Sequence, residues 1–452
     1  MENFVEITSD APILLIEAFN GGSHKQLITS LERLLVETGK RVCVVTLPAN
    51  KWHWRARTGS LQLAALIPRN ITFGYRVLFT SSVFSLPELL ALRSDLAAIP
   101  KKYIYFHENQ LAYPLRGDKA ADYQYAYSQV LSALAADVIL FNSAYNMNSF
   151  YERLPPFLNS GLPTPPSPRI PNARRLVEEL LKPKSRVLYF PVEPPPLGRI
   201  LSEGILQDPI LLQAERIKVR GKGPLRILWN HRWDYDKNPT DFFRVIFNLA
   251  GISVDEDFFD LGKSTVRPSV GITNSASAET EPGPLSPKET PPNFQLIVIG
   301  GTTQDTPRIF HMAKPLLAAK GLINTWGYLE SRDDYWKALA DSDVVVSTAN
   351  HEFFGVSVVE AVSVGCVPLL PLRLAYPELV KEPNCLYRTL PQMEKQLKRW
   401  TLAPDRLRAD LANVFLATYQ NGESGSKLWL KEDIYWLKGL RQKYEDFTEE
   451  LK

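Results

Sequence analysis

A short apolar run at Ile13–Ile16 leads into Gly21-Gly22-Ser23, an amphipathic stretch from Lys25 to Thr38, and a second apolar run at Arg41–Leu47. Strand, tight glycine turn, helix and strand in this order open a parallel sheet covered by helices, and few other folds accept the pattern. Further strands are expected at Val77–Thr80, Lys102–Phe106 and Asp137–Asn142. A second series follows, with strands expected at Leu225–Asn230, Phe294–Gly300, Ile323–Gly327, Asp343–Ser347 and Cys366–Leu370. Helices are expected at Asp241–Leu249, Asp333–Ala340 and Val356–Ser363. The fold class is therefore α/β, with two Rossmann-like domains, and 452 residues suit that count. We divide the chain into residues 1–187, residues 188–430 and a helical tail at 431–452. Two stretches break the pattern. Arg153–Pro171 is proline-rich and reads as a surface excursion, and Ile252–Asn293, rich in Ser, Thr, Pro, Glu and Gly, reads mainly as a disordered insertion.

The apolar fraction of 45% and charged fraction of 22% are those of a globular protein. No apolar run approaches the roughly 20 residues that span a bilayer, and the first ten residues are acidic where a signal peptide is basic. A soluble cytoplasmic enzyme is expected, without membrane insertion. The three cysteines, Cys43, Cys366 and Cys385, lack metal spacing and read as buried reduced thiols. A net charge of +3 does not by itself indicate a nucleic-acid partner, although Arg216, Lys218, Arg220, Lys222 and Arg226 form a cluster.

Four constellations carry chemistry. In HEFFGVSVVEAVSVGCVP, Glu352 and Glu360 stand eight residues apart after a strand. Along a helix that spacing advances about 12 Å. Carboxylates so separated can accept hydrogen bonds from a sugar at one end and a ribose at the other. Between them the amides of Phe353, Phe354, Gly355 and Val356 form a helix N-terminus suited to phosphate or sugar oxygens. In HRWDYDKNP, Arg232 and Lys237 lie at a strand end, where two cations neutralise a diphosphate as it leaves. Gly21 and Gly22 let the backbone approach a phosphate, and they lack the Gly-x-Gly-x-x-Gly of a dehydrogenase. In YFHENQ, His107, Glu108 and Asn109 follow a buried strand and face substrate; whether His107 serves donor or acceptor stays open. The nucleobase end is expected at Gly301, Trp326, Gly327 and Tyr328, with Trp326 as core filling an equal alternative.

The Glu-x7-Glu spacing, the Arg–Lys pair and the glycine loop together resemble the retaining glycosyltransferases of the GT-B fold, family four in the usual classification. That resemblance implies two domains facing across a cleft, with Glu352 beside the donor sugar, Glu360 on the ribose, and Arg232 and Lys237 on the diphosphate. It implies His107 close to the transferred sugar, and with Glu352, Arg232 and Lys237 it completes the expected catalytic set. The segments LLIEAFNGGSHKQLI, KWHWRAR, YFHENQLAYP, WNHRWDYDKNP and HEFFGVSVVEAV are similar to a tRNA-modifying branch of that family. This finer resemblance implies GDP-mannose as donor and the queuosine of tRNA-Asp as acceptor, with no cofactor and no metal. Lys51, Arg55 and Arg57 would hold phosphates while Trp52, His53 and Trp54 stack on bases. Two alternatives stay open: a lipid or glycan acceptor for the same donor site, and an inactive RNA-binding protein on this fold.

Overall fold

The computed structural model describes residues 10–69, 74–113, 123–160, 173–201, 208–264, 293–303, 306–419, 429–431, 434 and 440–451. It consists of two compact units, Met1–Pro191 with Asp433–Lys452, and Val192–Glu432.

The first unit runs β1 (Ile13–Asn20), α1 (Gly22–Glu37), β2 (Val42–Pro48), α2 (Trp52–Leu66), β3 (Val77–Ser81), β4 (Lys101–Phe106), α3 (Tyr123–Ala135), β5 (Val138–Phe141), α4 (Ala144–Ser160) and β6 (Ser185–Val187). Its sheet is parallel in the order β2-β1-β3-β4-β5-β6. β1 and β3 are almost wholly buried, as near-continuous apolar runs in a parallel sheet covered on both faces must be. The chain leaves β1 for β2 on one side and returns to β3 on the other. The β1/β3 boundary is thus a switch point, where the first loops after the strands diverge and leave a crevice.

One expectation for this unit is corrected. Arg153 does not begin an irregular excursion, because α4 continues to Ser160 through Pro155 and Pro156. Phe150, Leu154 and Leu158 recur every fourth residue and are all buried, and this stripe offsets the two missing N–H donors. Residues 161–172 of the expected excursion lie outside the described residues. KWHWRAR follows β2, with Lys51 at the cap position and Trp52–Arg57 opening the 15-residue helix α2.

The second unit runs α5 (Pro209–Val219), β7 (Leu225–Trp229), α6 (Pro239–Ala250), α7 (Glu256–Gly262), β8 (Phe294–Ile299), β9 (Ile323–Gly327), α8 (Arg332–Ala340), β10 (Val344–Val346), α9 (Val356–Ser363), β11 (Val367–Pro371), β12 (Leu386–Tyr387) and α10 (Pro404–Tyr419). The parallel order is β12-β11-β10-β7-β8-β9, which puts the switch point between β7 and β10. The expected insertion at 252–293 is corrected in part. Asp255 caps α7 by accepting from the Phe258 N–H at 2.9 Å, and Phe259 buries against Phe247. Residues 265–292 of that insertion lie outside the described residues.

Part of the basic cluster is structural. Arg220 and Arg408 both pair with the fully buried Asp343, at 2.7 and 2.6 Å, and Arg408 also donates to the carbonyls of Gly221, Gly223 and Pro224. The three cysteines are free and buried. Among the described residues no helix is long and apolar enough to cross a membrane. The chain returns to the first unit at its end, as α11 (Arg441–Glu450). Phe447 packs edge-on against Phe79 and Tyr103, and Tyr444 donates to the Tyr189 carbonyl at 2.9 Å.

Candidate functional site

At the β7/β10 switch point of the second unit, the loop after β7 meets the loop after β10. Asp234 accepts from the Tyr235 N–H, a short helical turn covers Tyr235–Lys237, and Asn238 takes a left-handed conformation (φ 50°) that starts α6 at Pro239. This geometry turns Lys237 toward the second loop. Its Nζ has three oxygens around it: the His351 carbonyl at 2.9 Å, Glu352 Oε2 at 3.0 Å and Asp236 Oδ2 at 3.3 Å. The Asp236 carbonyl accepts from the Asn350 and His351 amides, which ties the two loops together. Lys237 and Glu352, far apart in the sequence, thus lie side by side in the folded chain. Burial by itself would raise the Glu352 carboxyl, but the Lys237 ammonium outweighs it and holds the group at about 2. Burial likewise opposes charge on Lys237, yet Glu352 and Asp236 keep it above the ordinary lysine range. Arg232 is half-exposed, with Asp234 at 3.4 Å and Asp236 at 3.9 Å. A diphosphate arriving here would exchange with carboxylates already in place.

Glu360 occupies the inner side of α9 and is buried. One of its oxygens pairs with Arg332 and the other accepts from the Tyr335 hydroxyl at 2.8 Å. The Arg332 guanidinium also lies over the Tyr335 and Trp336 rings, at 4.7 and 4.9 Å. Asn230, at the end of β7, donates to the Ser357 carbonyl and to Tyr335, so β7, α8 and α9 are locked at this point. Gly355 precedes α9 with φ 99°, a conformation open to glycine, and a side chain there would press on Tyr376. Phe353 and Phe354 bury their side chains, so only their backbone is available to a ligand. His231 is buried between the Val346 carbonyl and Ser357, and burial, followed by the Lys237 charge, lowers it to about 4. Gly301 follows β8 and Gly327 ends β9, Tyr328 is exposed, and Trp326 packs against Trp233 and Phe243.

The β1/β3 switch point of the first unit holds a second cluster. Glu17 is a fully buried carboxylate within β1, accepting from Ser81 Oγ of β3 at 2.9 Å and from the Phe19 N–H at 2.8 Å. Its other oxygen faces His24 Nδ1 at 3.1 Å, and His24 Nε2 has Glu108 at 3.7 Å. His24 stands in the first turn of α1, after Gly21 and the left-handed Gly22. A side chain on Gly21 would collide with Ala49. The His24 and His107 ring centroids lie 3.9 Å apart with the rings tilted by 33°, and His107 Nε2 is buried without a hydrogen-bond partner. The donor atoms of Glu17, His24 and His107 lie within 4.8 Å of one another, a spacing that admits one metal ion. Both His24 nitrogens already face carboxylates, however, which makes the cluster first a hydrogen-bonded charge network. Asn109 points inward and spends its amide on Asn146, Ser149 and the Ala112 N–H, supporting the loop rather than facing outward.

On α2, His53 stacks on Tyr125 of α3 at 5.7 Å and bonds its hydroxyl, while the Arg57 guanidinium lies 5.0 Å over the same ring. Trp52 meets both rings edge-on and Trp54 is 61% exposed. Lys51 takes a left-handed conformation at the helix start (φ 47°). Arg55 is anchored by Pro48, Asn50 and Gln62. The sequence reading missed Tyr125, Arg332 and Tyr335, which are remote in the chain and carry no local motif, and it quoted Asn230 within WNHRWDYDKNP without assigning it a role. It quoted Glu17 and His24 without assigning them a role. A carboxylate inside the apolar run of β1 was the available signal for Glu17.

Comparison with known proteins places this geometry. Two solved structures have the same fold: a sucrose-phosphate synthase from Thermosynechococcus elongatus (11% identity, 97% of this chain, 99% of that one, TM-score 0.55) and an alpha,alpha-trehalose 6-phosphate synthase from Burkholderia multivorans (13%, 98%, 96%, 0.55). At such identities they bear on the fold alone, which is GT-B. The family model described as tRNA-queuosine alpha-mannosyltransferase N-terminal matches residues 12–192. The tRNA-queuosine alpha-mannosyltransferase of Drosophila melanogaster is 39% identical over 405 residues, 89% of this chain and 90% of that protein. The chain belongs to the tRNA-queuosine alpha-mannosyltransferase family.

Proposed function

We propose that this chain transfers mannose from GDP-mannose to the queuosine of tRNA-Asp, with retention at the anomeric carbon. The observation that carries the donor half is the pairing of Lys237 with Glu352 at the β7/β10 switch point, with Glu360 buried about one turn into α9. Glu352 contacts the mannose, Glu360 the ribose, and Arg232 with Lys237 the diphosphate. The half-exposed Arg232 meets the leaving group first, and Lys237 follows by exchanging Glu352 for phosphate oxygen. The amides from Phe353 to Val356 add partial positive charge at the head of α9. Gly301, Trp326, Gly327 and Tyr328 lie toward the guanine.

In the reaction the bond from the anomeric carbon to the β-phosphate oxygen breaks, and a bond to the acceptor hydroxyl oxygen forms on the same face. The hydroxyl proton passes to the departing phosphate oxygen. The two cations stabilise charge developing on GDP, so we assign no metal and no cofactor to the step. In the first unit, Gly21 and Gly22 approach the donor phosphates, His107 and Glu108 contact the reacting sugars, and the α2 face with Lys51, Trp52, His53, Trp54, Arg55 and Arg57 receives the RNA. The deciding experiment incubates the protein with GDP-mannose and tRNA-Asp that either carries or lacks queuosine. A mass gain of one hexose on the queuosine-bearing RNA alone is expected; no gain, or equal gain on both, overturns the reading.

A further inference from the structure

The cluster at the carboxyl end of β1 holds more charged groups than the transfer step uses. Facing His24 are Glu17 from β1, Glu108 from the loop after β4, and the rings of Phe19 and His107. Facing His107 are His24, Tyr105 and Phe190, with a Glu17 oxygen within 4.8 Å of one of its nitrogens. Among the described residues no carboxylate oxygen lies within ion-pair distance of a His107 nitrogen, whereas His24 has one at each nitrogen. The two rings are 3.9 Å apart and tilted by 33°, and both residues are buried.

We propose that His24 is a positioning residue for His107: held between Glu17 and Glu108, it lays a cationic imidazolium against the His107 ring, which keeps His107 uncharged and its Nε2 open to a substrate hydroxyl. The inference rests on the proposed place of His107 at the transfer site. Ser81 and the Phe19 N–H give the buried Glu17 carboxylate neutral donors, and His24 is the titratable base that contacts its other oxygen and can supply the counter-charge. Once that charge sits on His24, a second proton on the adjacent ring is opposed both by burial and by like charge. A neutral imidazole offers one donor and one acceptor, which suits a hydroxyl; an imidazolium offers donors only. The directions of titration agree. Burial opposes charge on His24, but Glu17 and Glu108 raise it to about 10, while burial and then His24 push His107 well below the ordinary histidine value.

The test is a histidine-labelled NMR titration of the full chain, joined to the pH profile of mannose transfer to queuosine-bearing tRNA. In the wild type, His24 should stay charged at pH 8 and His107 neutral at pH 6. In His24→Gln the His107 midpoint should rise by about one pH unit or more, and kcat/KM should gain an acid limb with the same midpoint. His24→Lys should restore the wild-type profile. A purely structural His24 would cost stability in His24→Gln without moving either midpoint, and that result overturns the proposal. If His24→Gln does not fold, a charged His107 at pH 7 in the wild type overturns it alone. Wild-type transfer by His107→Gln would instead remove His107 from the transfer site, while the wild-type titration still decides where the charge lies.

Discussion

Lys237 and Glu352 are individually costly to bury and stable only together. Removing the cation leaves the Glu352 and Asp236 carboxylates and the His351 carbonyl around the vacated position without their shared partner. Lys237→Met should therefore destabilise the chain by about 3 kcal/mol in denaturant unfolding, and Lys237→Met with Glu352→Gln by less, because the second change removes one of the orphaned charges. The same pair makes a pH prediction. The folded-state Glu352 carboxyl is depressed to about 2 from its ordinary 4.5. Its contribution to stability is thus present above 4.5 and lost as pH falls through about 2. Acid unfolding followed by circular dichroism should be less steep in that window for Glu352→Gln, and an unchanged slope would show that the pair is not coupled to folding.

At the level of elements, backbone approach is as decisive as charge. A side chain on Gly300 would lie 1.9 Å from the His231 carbonyl oxygen, so the loops after β7 and β8 can meet only over a glycine. Gly300→Ala should cost about 3 kcal/mol or more and weaken GDP binding measured by calorimetry, since the displaced loop carries His231 and Arg232. The strand ends were legible in the sequence because each apolar run stops at a glycine or polar residue, and with them came Glu352, Lys237 and His107. Arg332, Tyr335 and Tyr125 were not legible, because their roles depend on which helices the topology makes neighbours. The expected disorder at 252–293 failed at α7 for a local reason: two phenylalanines behind an Asp cap were outweighed by a long polar average. The α2–α3 face carries its own prediction. Trp54→Ala with Arg57→Ala should reduce tRNA affinity roughly tenfold and lower the salt slope by about one, with GDP binding unchanged. Equal loss of GDP binding would place the effect on folding instead.

At the level of the whole molecule, the chain begins and ends in the same unit, with the complete second unit inserted between. The last helix is part of the first unit's core, not a surface appendage. Phe447 covers Phe79 of β3 and Tyr103 of β4, Tyr444 is fully buried, and Lys40 and Arg186 hold the outer side through Glu449 and Glu450. Burying Phe447 and Tyr444 contributes on the order of 2–3 kcal/mol each, and exposing Phe79 and Tyr103 adds to the loss. A chain ending at residue 432 should therefore lose stability in the first unit and keep it in the second. Hydrogen exchange read by mass spectrometry separates the two. Faster exchange is expected across β3 and β4 at the lower temperature of a split melting curve, with β7, β8 and β10 protected as in the full chain. Uniform loss of protection in both units would mean that they unfold as one body. Protection retained in β3 and β4 would mean that α11 is dispensable to the sheet it covers. The consequence for function follows from the same packing, because β1 and β4, whose carboxyl ends hold Glu17 and His107, share the sheet that α11 closes. The truncated chain should accordingly keep the part of its GDP affinity that Arg232, Lys237 and Glu360 of the second unit supply, lose the part that Gly21 and Gly22 add, and fail to transfer hexose to RNA.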